Sequence, residues 1–287
     1  MHMTLRETIA QYRSQGNAIA HFNFSDSNQL RAIADAAKET GLPVVVGLSE
    51  GEREYFGFSL ANALVDRYRS MGVNIFLNAD HTYSTDLVQR AIAVGADSVV
   101  VDGARLTFDE NLLMVTACVK YARASGRDVI VEGELGYIGT SSKPLDALPE
   151  GVSLENLTTV EDAVKFVRES GIDCFAPAVG NVHGMLKFAK EPRLHPERVK
   201  EISEATGIPL VLHGASGNTE DDIVACIKAG VAVVHINTEL RIMYRKSLEK
   251  AFAANPQEVA PYKYLKPVVT EMKDYVAHKL KLFAGVA

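Results

Sequence analysis

Three histidines stand far apart in the chain, each at or just after the end of a short apolar run. His81 closes NIFLNADH, His183 follows CFAPAVGNV, and His213 follows IPLVL. Three neutral imidazoles from separate strands, with a fourth position left open, form a catalytic zinc arrangement. Asp80 directly precedes one of them. A carboxylate there serves either as acid or base beside the metal, or as the group that orients a ligand from behind. Glu132 and Glu134 are two residues apart and share one face of a strand, and Asp102 ends the neighbouring run. Inward carboxylates are costly without cations or polar partners. A second metal position and salt bridges to inward basic groups both answer that need.

Small-residue turns follow several of the same runs: HGMLK (183–187), HGASG (213–217) and INTEL (236–240). Backbone N–H groups near Gly184, Gly214, Ser216, Asn237 and Thr238 suit a phosphate, with Lys187 as the charge. Glycine that merely permits a tight turn is the plainer account. GELGYIG has the wrong spacing for a dinucleotide fingerprint. None of the strands contains a lysine, so a Schiff-base route is closed to strand residues. An enolate in this chain would need a metal.

These residues must be positioned by a repeating framework. Eight apolar stretches alternate with amphipathic runs: AIAHFNF, PVVVGLS, NIFLNAD, SVVVDGA, DVIVEGELG, CFAPAVG, IPLVLHGAS and AVVHINT. Several of the runs between them open on Ser, Thr or Asp and close on Gly, as helix caps do. The strands are near-continuous in Val, Ile, Leu and Ala, which suits a parallel sheet buried on both faces. Eight βα units without a composition break predict one α/β domain over residues 1–287, a (β/α)8 TIM barrel, with an open doubly wound sheet as the alternative. Every strand turns polar at its C-terminal end, through Asn23, Ser49, Asp80-His81, Asp102, Glu134, His183, His213, and His235 with Asn237. In a barrel that ring of ends is the active-site face, and Asn23 joins it as a substrate-binding candidate. The irregular stretch 136–159 predicts a mobile active-site loop, and 262–283 an appended C-terminal helix.

With 287 residues, 47% of them hydrophobic and 23% charged, a sizeable core can be buried. The net charge of −6 is interspersed and no long basic run exists, which argues against a nucleic-acid surface. No apolar run reaches the roughly 18 residues needed to cross a bilayer, and the N-terminus lacks a signal-peptide core. Three scattered cysteines (118, 174 and 226) read as buried free thiols. The expectation is a cytoplasmic protein with no membrane or nucleic-acid partner.

The segments AHFNFSDSNQLRAIADAA, VEGELGYIG, GNVHGMLK, VLHGASG, INTELR and YLKPV, in this order, resemble the class II, metal-dependent ketose-bisphosphate aldolases of the fructose- and tagatose-bisphosphate type. The resemblance covers nearly the whole chain. It implies one Zn²⁺ on His81, His183 and His213, and Asp80 as the acid/base for the oxygen formed on carbon–carbon cleavage. It implies an alternative metal region at Asp102, Glu132 and Glu134. Ser49, Gly184, Lys187, Gly214, Ser216 and Thr238 match positions holding the phosphate of dihydroxyacetone phosphate. A monovalent cation (Na⁺ or K⁺) near that phosphate, and a homodimer or homotetramer, are also implied. The expected activity is cleavage or formation of a phosphorylated sugar, a ketose, through a metal-stabilised enediolate. A catalytically altered family member that binds metal and sugar phosphate, and a metal-dependent barrel hydrolase, are the alternatives.

The chain departs from the family pattern in three places. The loop after the fifth strand has Thr140, Ser141 and Ser142 where members carry a Gly-Gly and acidic pair, and no carboxylate appears before Asp146. The last strand has Val233 and His235 where a lysine and an asparagine are usual. Tyr262 or Lys263 replaces an arginine before YLKP. His235 is therefore expected to take the asparagine's place as a substrate contact or base, with inward-facing His21 beside it once the barrel closes; a hydrogen-bonded core histidine is the plainer account.

Overall fold

The structure, a computed structural model, describes residues 3–140, 142–152 and 157–286. Ser141 and part of the expected 136–159 loop, residues 153–156, lie outside the described residues. The strands are β1 Ile19–Asn23, β2 Val44–Leu48, β3 Ile75–Thr82, β4 Ser98–Val101, β5 Ile130–Leu135, β6 Pro144–Leu145, β7 Cys174–Pro177, β8 Met185–Leu186, β9 Leu210–Leu212 and β10 Val231–Ile236. Eight of them close a parallel barrel in the order β1-β10-β9-β7-β5-β4-β3-β2. Within the 136–159 stretch, β6 pairs in parallel with β8, so the loop is pinned to the segment that follows His183.

The helices are α1 Leu5–Ser14, α2 Ser27–Thr40, α3 Glu50–Phe56, α4 Phe58–Ser70, α5 Thr85–Val94, α6 Phe108–Ala124, α7 Val160–Ser170, α8 Pro196–Thr206, α9 Glu220–Ala229, α10 Thr238–Ala254 and α11 Pro261–Phe283. Asp26, Ser84, Thr107, Thr159 and Thr219 accept first-turn amides with their side chains. These bonds satisfy donors that a helix start otherwise leaves orphaned. The C-terminal helix α11 packs along α2 and α10. It buries Val268, Met272, Val276, Leu280 and Phe283.

Strand period 2 sorts each strand into two faces. Phe22, Val44, Val46, Leu77, Val99, Val131 and Leu212 pack outward into the layer beneath the helices. Ile19, Val45, Phe76, Ile130, Val211 and Val233 point inward, where Leu5 and Ile9 of α1 join them and close the barrel floor. Going up the same inward face, the residues become polar: Ile19 leads to His21 and Asn23, Phe76 to Asn78 and Asp80, Ile130 to Glu132 and Glu134, Val211 to His213, and Val233 to His235. The floor excludes water and is apolar. The top opens on a cleft, so charge is tolerated only there. All three cysteines are free and buried. No helix among the described residues is long and apolar enough to cross a membrane.

Candidate active site

At the end of β3 the alternation breaks. Asp80 and His81 are adjacent, yet both line the cleft. The break is a local register shift against β4 between Ala79 and Thr82, with His81 at φ 80°, the one described non-glycine residue with positive φ. Such a conformation costs on the order of 1–3 kcal/mol and persists only where its surroundings hold it. Arg53 does so from α3. Its guanidinium donates to the carbonyls of Leu48 (2.6 Å), Asp80 (2.7 Å) and His81 (3.3 Å), and to Thr82 Oγ1 (3.1 Å).

Donor atoms of His81, His183 and His213 lie within 4.8 Å of one another. Each ring has an acceptor behind it. His183 Nδ1 donates to the Gly139 carbonyl at 2.6 Å, His81 Nδ1 to Asp102 Oδ2 at 2.9 Å, and His213 Nε2 to Glu132 Oε1 at 2.5 Å. These partners fix the protons on the outer nitrogens and turn the lone pairs of the other nitrogens inward. His81 Nε2 and His213 Nδ1 then face each other at 3.0 Å. Two lone pairs at that separation repel unless a cation or proton lies between them. The donor set therefore fits a divalent transition metal held by three imidazoles.

Without a metal, the surrounding carboxylates draw a proton onto His81, which a bound cation would displace. Burial disfavours charge on His81, but Asp80, Asp102 and Glu134 outweigh it and raise its pKa to about 10. Burial, reinforced by His81 and His213, lowers His183 to about 3 and keeps it neutral. Burial and the neighbouring Asp102 hold Glu134 well above the usual carboxylate range. The pocket is rich in negative potential and seeks a cation.

Asp80 is buried, which opposes ionisation, yet His81, His235 and His21 together hold its pKa well below the ordinary value. Its Oδ2 accepts from the Asn23 amide at 2.8 Å, while Oδ1 has no hydrogen-bond partner. His235 Nδ1 lies 3.3 Å from that oxygen, poorly aligned and likewise without a hydrogen bond. β1 pairs with β10 in a register that sets His21 opposite His235. The two rings stack at 3.6 Å between centroids, 6° from parallel. His21 fits only because position 47 is glycine: a Cβ there would lie 2.2 Å from His21 Nε2.

The cleft, about 120 Å³, is lined by Asn23, Ser49, Asp80, His81, His183, Gly184, His213, Gly214, Ser216, His235, Asn237 and Thr238, all singled out in the sequence. Asp102 and Glu132 stand behind it as the acceptors of His81 and His213. Glu134 lies beside them, its Oε2 3.6 Å from His81 Nδ1. Lys187 is placed elsewhere. The β6–β8 pairing brings it beside Asp146, to which its Nζ donates at 2.9 Å, and it does not line the cleft. Tyr83, Thr140, Ser142 and Arg241 do line it. Sequence reading gave no role to Arg53, Glu52 or Arg241. For Arg241 a signal existed: it stands three residues after Thr238 on a helix, close to one turn along the same face.

A family model described as class-II fructose-bisphosphate aldolase matches residues 3–286. A 6-phospho-5-dehydro-2-deoxy-D-gluconate aldolase from Bacillus licheniformis is 35% identical over 287 residues, covering 99% of this chain and 95% of the relative. A probable fructose-bisphosphate aldolase from Bacillus subtilis is 34% identical over 288 residues, covering 99% and 98%. The crystal structure of the YdjI aldolase from Escherichia coli K12 superposes with a TM-score of 0.83 at 28% identity, covering 99% and 97%. With a matching framework from end to end and a histidine cluster that could hold a metal, the chain belongs to the class-II fructose-bisphosphate aldolase family of metal-dependent lyases.

Proposed function

We propose that the chain is a zinc-dependent aldolase that cleaves or forms a phosphorylated ketose, with dihydroxyacetone phosphate as one product. The observation that carries this reading is the convergence of three imidazole nitrogens, their rings oriented by Gly139, Asp102 and Glu132, beside an unpartnered carboxylate oxygen of Asp80. His81, His183 and His213 would hold a divalent cation, which when bound would supply positive charge against the enediolate that cleavage leaves on the three-carbon half.

The chain's own groups do the rest. Asp80 Oδ1 takes the proton of the C4 hydroxyl. The C3–C4 bond breaks, its electron pair passes to the triose half, and the aldehyde leaves. Asn23 holds the other oxygen of Asp80, so only Oδ1 is free to move the proton. Gly184, Gly214, Ser216, Asn237 and Thr238 line the same cleft, and turns of this kind suit the triose phosphate group. A monovalent cation beside that phosphate belongs to the same reading. His235, kept neutral by burial and by His21, is a candidate for the substrate contact or the carbon proton. A cytoplasmic homo-oligomer is the setting we propose.

The test is release of dihydroxyacetone phosphate from a panel of phosphorylated ketoses, before and after metal stripping. Release should vanish with a chelator and return with zinc. Asp80→Asn should lower kcat about 10²–10⁴-fold. Release that survives complete stripping, or none from any ketose, overturns the reading.

A further inference from the structure

The cleft's one Lys or Arg side chain, among the described lining residues, is Arg241. A second anionic group on a substrate would naturally seek it. That guanidinium is already engaged. Nη2 donates to Glu52 Oε1, and Nη1 to the Ser142 carbonyl at 3.1 Å. Ser49, another lining donor, is engaged by the same carboxylate: its hydroxyl and its N–H donate to Glu52 Oε2 at 2.9 and 2.8 Å. The Asn23 amide (3.0 Å) and the Ser25 hydroxyl (3.1 Å) complete the set. Glu52 is buried, at 6% exposure.

Part of this is helix chemistry. Glu52 is the third residue of α3 and forms a capping box with Ser49. A capping box needs only the Ser49 amide and hydroxyl. The bonds from Asn23, Ser25 and Arg241 come from other elements, one of them 189 residues away. Glu52 thus draws to itself the donors at this side of the cleft and sets a carboxylate behind them. A phosphate or carboxylate arriving there must break the Arg241 and Ser49 bonds and then sit against the Glu52 charge. A hydroxyl meets no such opposition.

We infer that Glu52 makes the cleft select a ketose phosphorylated at one end only, with an uncharged hydroxylated chain as the aldehyde half. The inference rests on the aldolase reading above and names its substrate class. It sets this chain apart from a bisphosphate aldolase despite the family's name.

The test uses the zinc-loaded full chain and matched pairs of ketose 1-phosphate and 1,6-bisphosphate, with fructose and tagatose as the sugars. The wild type should favour the monophosphate in kcat/KM by at least about tenfold, since like charges in a buried setting are strongly disfavoured. Glu52→Gln keeps the side chain's shape and an acceptor for the cap, and should move the ratio toward the bisphosphate by about tenfold or more. Arg241→Met should not move the wild-type ratio toward the bisphosphate, yet should cancel the gain in the Glu52→Gln background, because only there is the guanidinium released. A helix cap alone would not move that ratio. Wild-type preference for the bisphosphate, or a Glu52→Gln ratio equal to the wild type's, overturns the inference and leaves the aldolase reading standing. Cleavage of neither member of any pair overturns both. If Glu52→Gln does not fold, the wild-type ratio decides.

Discussion

Replacing Gly47 by alanine tests how tightly the strand ends are fitted around Asp80. The new methyl would lie 2.2 Å from His21 Nε2, 2.5 Å from His21 Cε1 and 3.5 Å from Asp80 Cβ. The first two distances are more than 1 Å inside ordinary contact. His21 cannot retreat, because its other face is stacked on His235 at 3.6 Å and it is fully buried. Overpacking of this kind costs about 1–3 kcal/mol. At ~2–4 °C per kcal/mol for a chain of this size, Tm should fall by about 2–12 °C. Thermal unfolding in the presence of a chelator measures this without a contribution from metal binding. The decisive comparison is a double-mutant cycle with His21→Ala, which removes the obstructing ring. In that background Gly47→Ala should cost less by at least about 1 kcal/mol. Equal costs in both backgrounds would mean that His21 does not occupy the space beside Gly47, and the account of the stacked pair would fail.

Asp102→Asn leaves His81 Nδ1 with a weaker partner and should lower metal affinity about 10–100-fold in a competition titration with a chelating dye; unchanged affinity would remove Asp102 from that role. Arg53→Met frees the carbonyls of Leu48, Asp80 and His81, so the turn at His81 loses its support. Metal affinity should fall by a similar ~10-fold or more, with a lower Tm. Burial pushes the Cys118 and Cys226 thiols up to about 12, from an ordinary 9.0. The native thiols should therefore ignore a thiol reagent at pH 8 and react only on unfolding. Between pH 9 and 12 the unfolded chain binds fewer protons than the folded one, so these thiols contribute stability that is complete below pH 9 and lost as pH rises toward 12. A flat stability profile across that window would contradict their burial.

Much of the framework is legible locally. Strand alternation, cap residues and the polar strand ends are set by neighbours within a few residues, and the same patterns recur eight times. That is why His81, His183 and His213 could be assigned to one end of the barrel before any contact was known. Even the pairing of His21 with His235 follows from parity plus closure, since the first and last barrel strands must meet. The loop after β5 was harder to read. Its β6 segment is two residues long and acquires meaning only by pairing with β8, a segment about forty residues away in the chain. The same pairing carries Lys187 toward Asp146, a placement that its neighbours in sequence do not encode.

By itself, then, the sequence determined the barrel and the polar ring of strand ends that carries the candidate site residues, because backbone periodicity is a property of consecutive residues. The tertiary structure alone decided which nitrogen of each imidazole turns inward, since the acceptors Asp102, Glu132 and Gly139 lie on other strands and loops. It also decided the reversal of backbone at His81 and the assembly of Asn23, Ser49 and Arg241 around Glu52. Long side chains such as arginine reach partners that sequence spacing does not encode. What they neutralise depends on where a closed barrel brings its loops together.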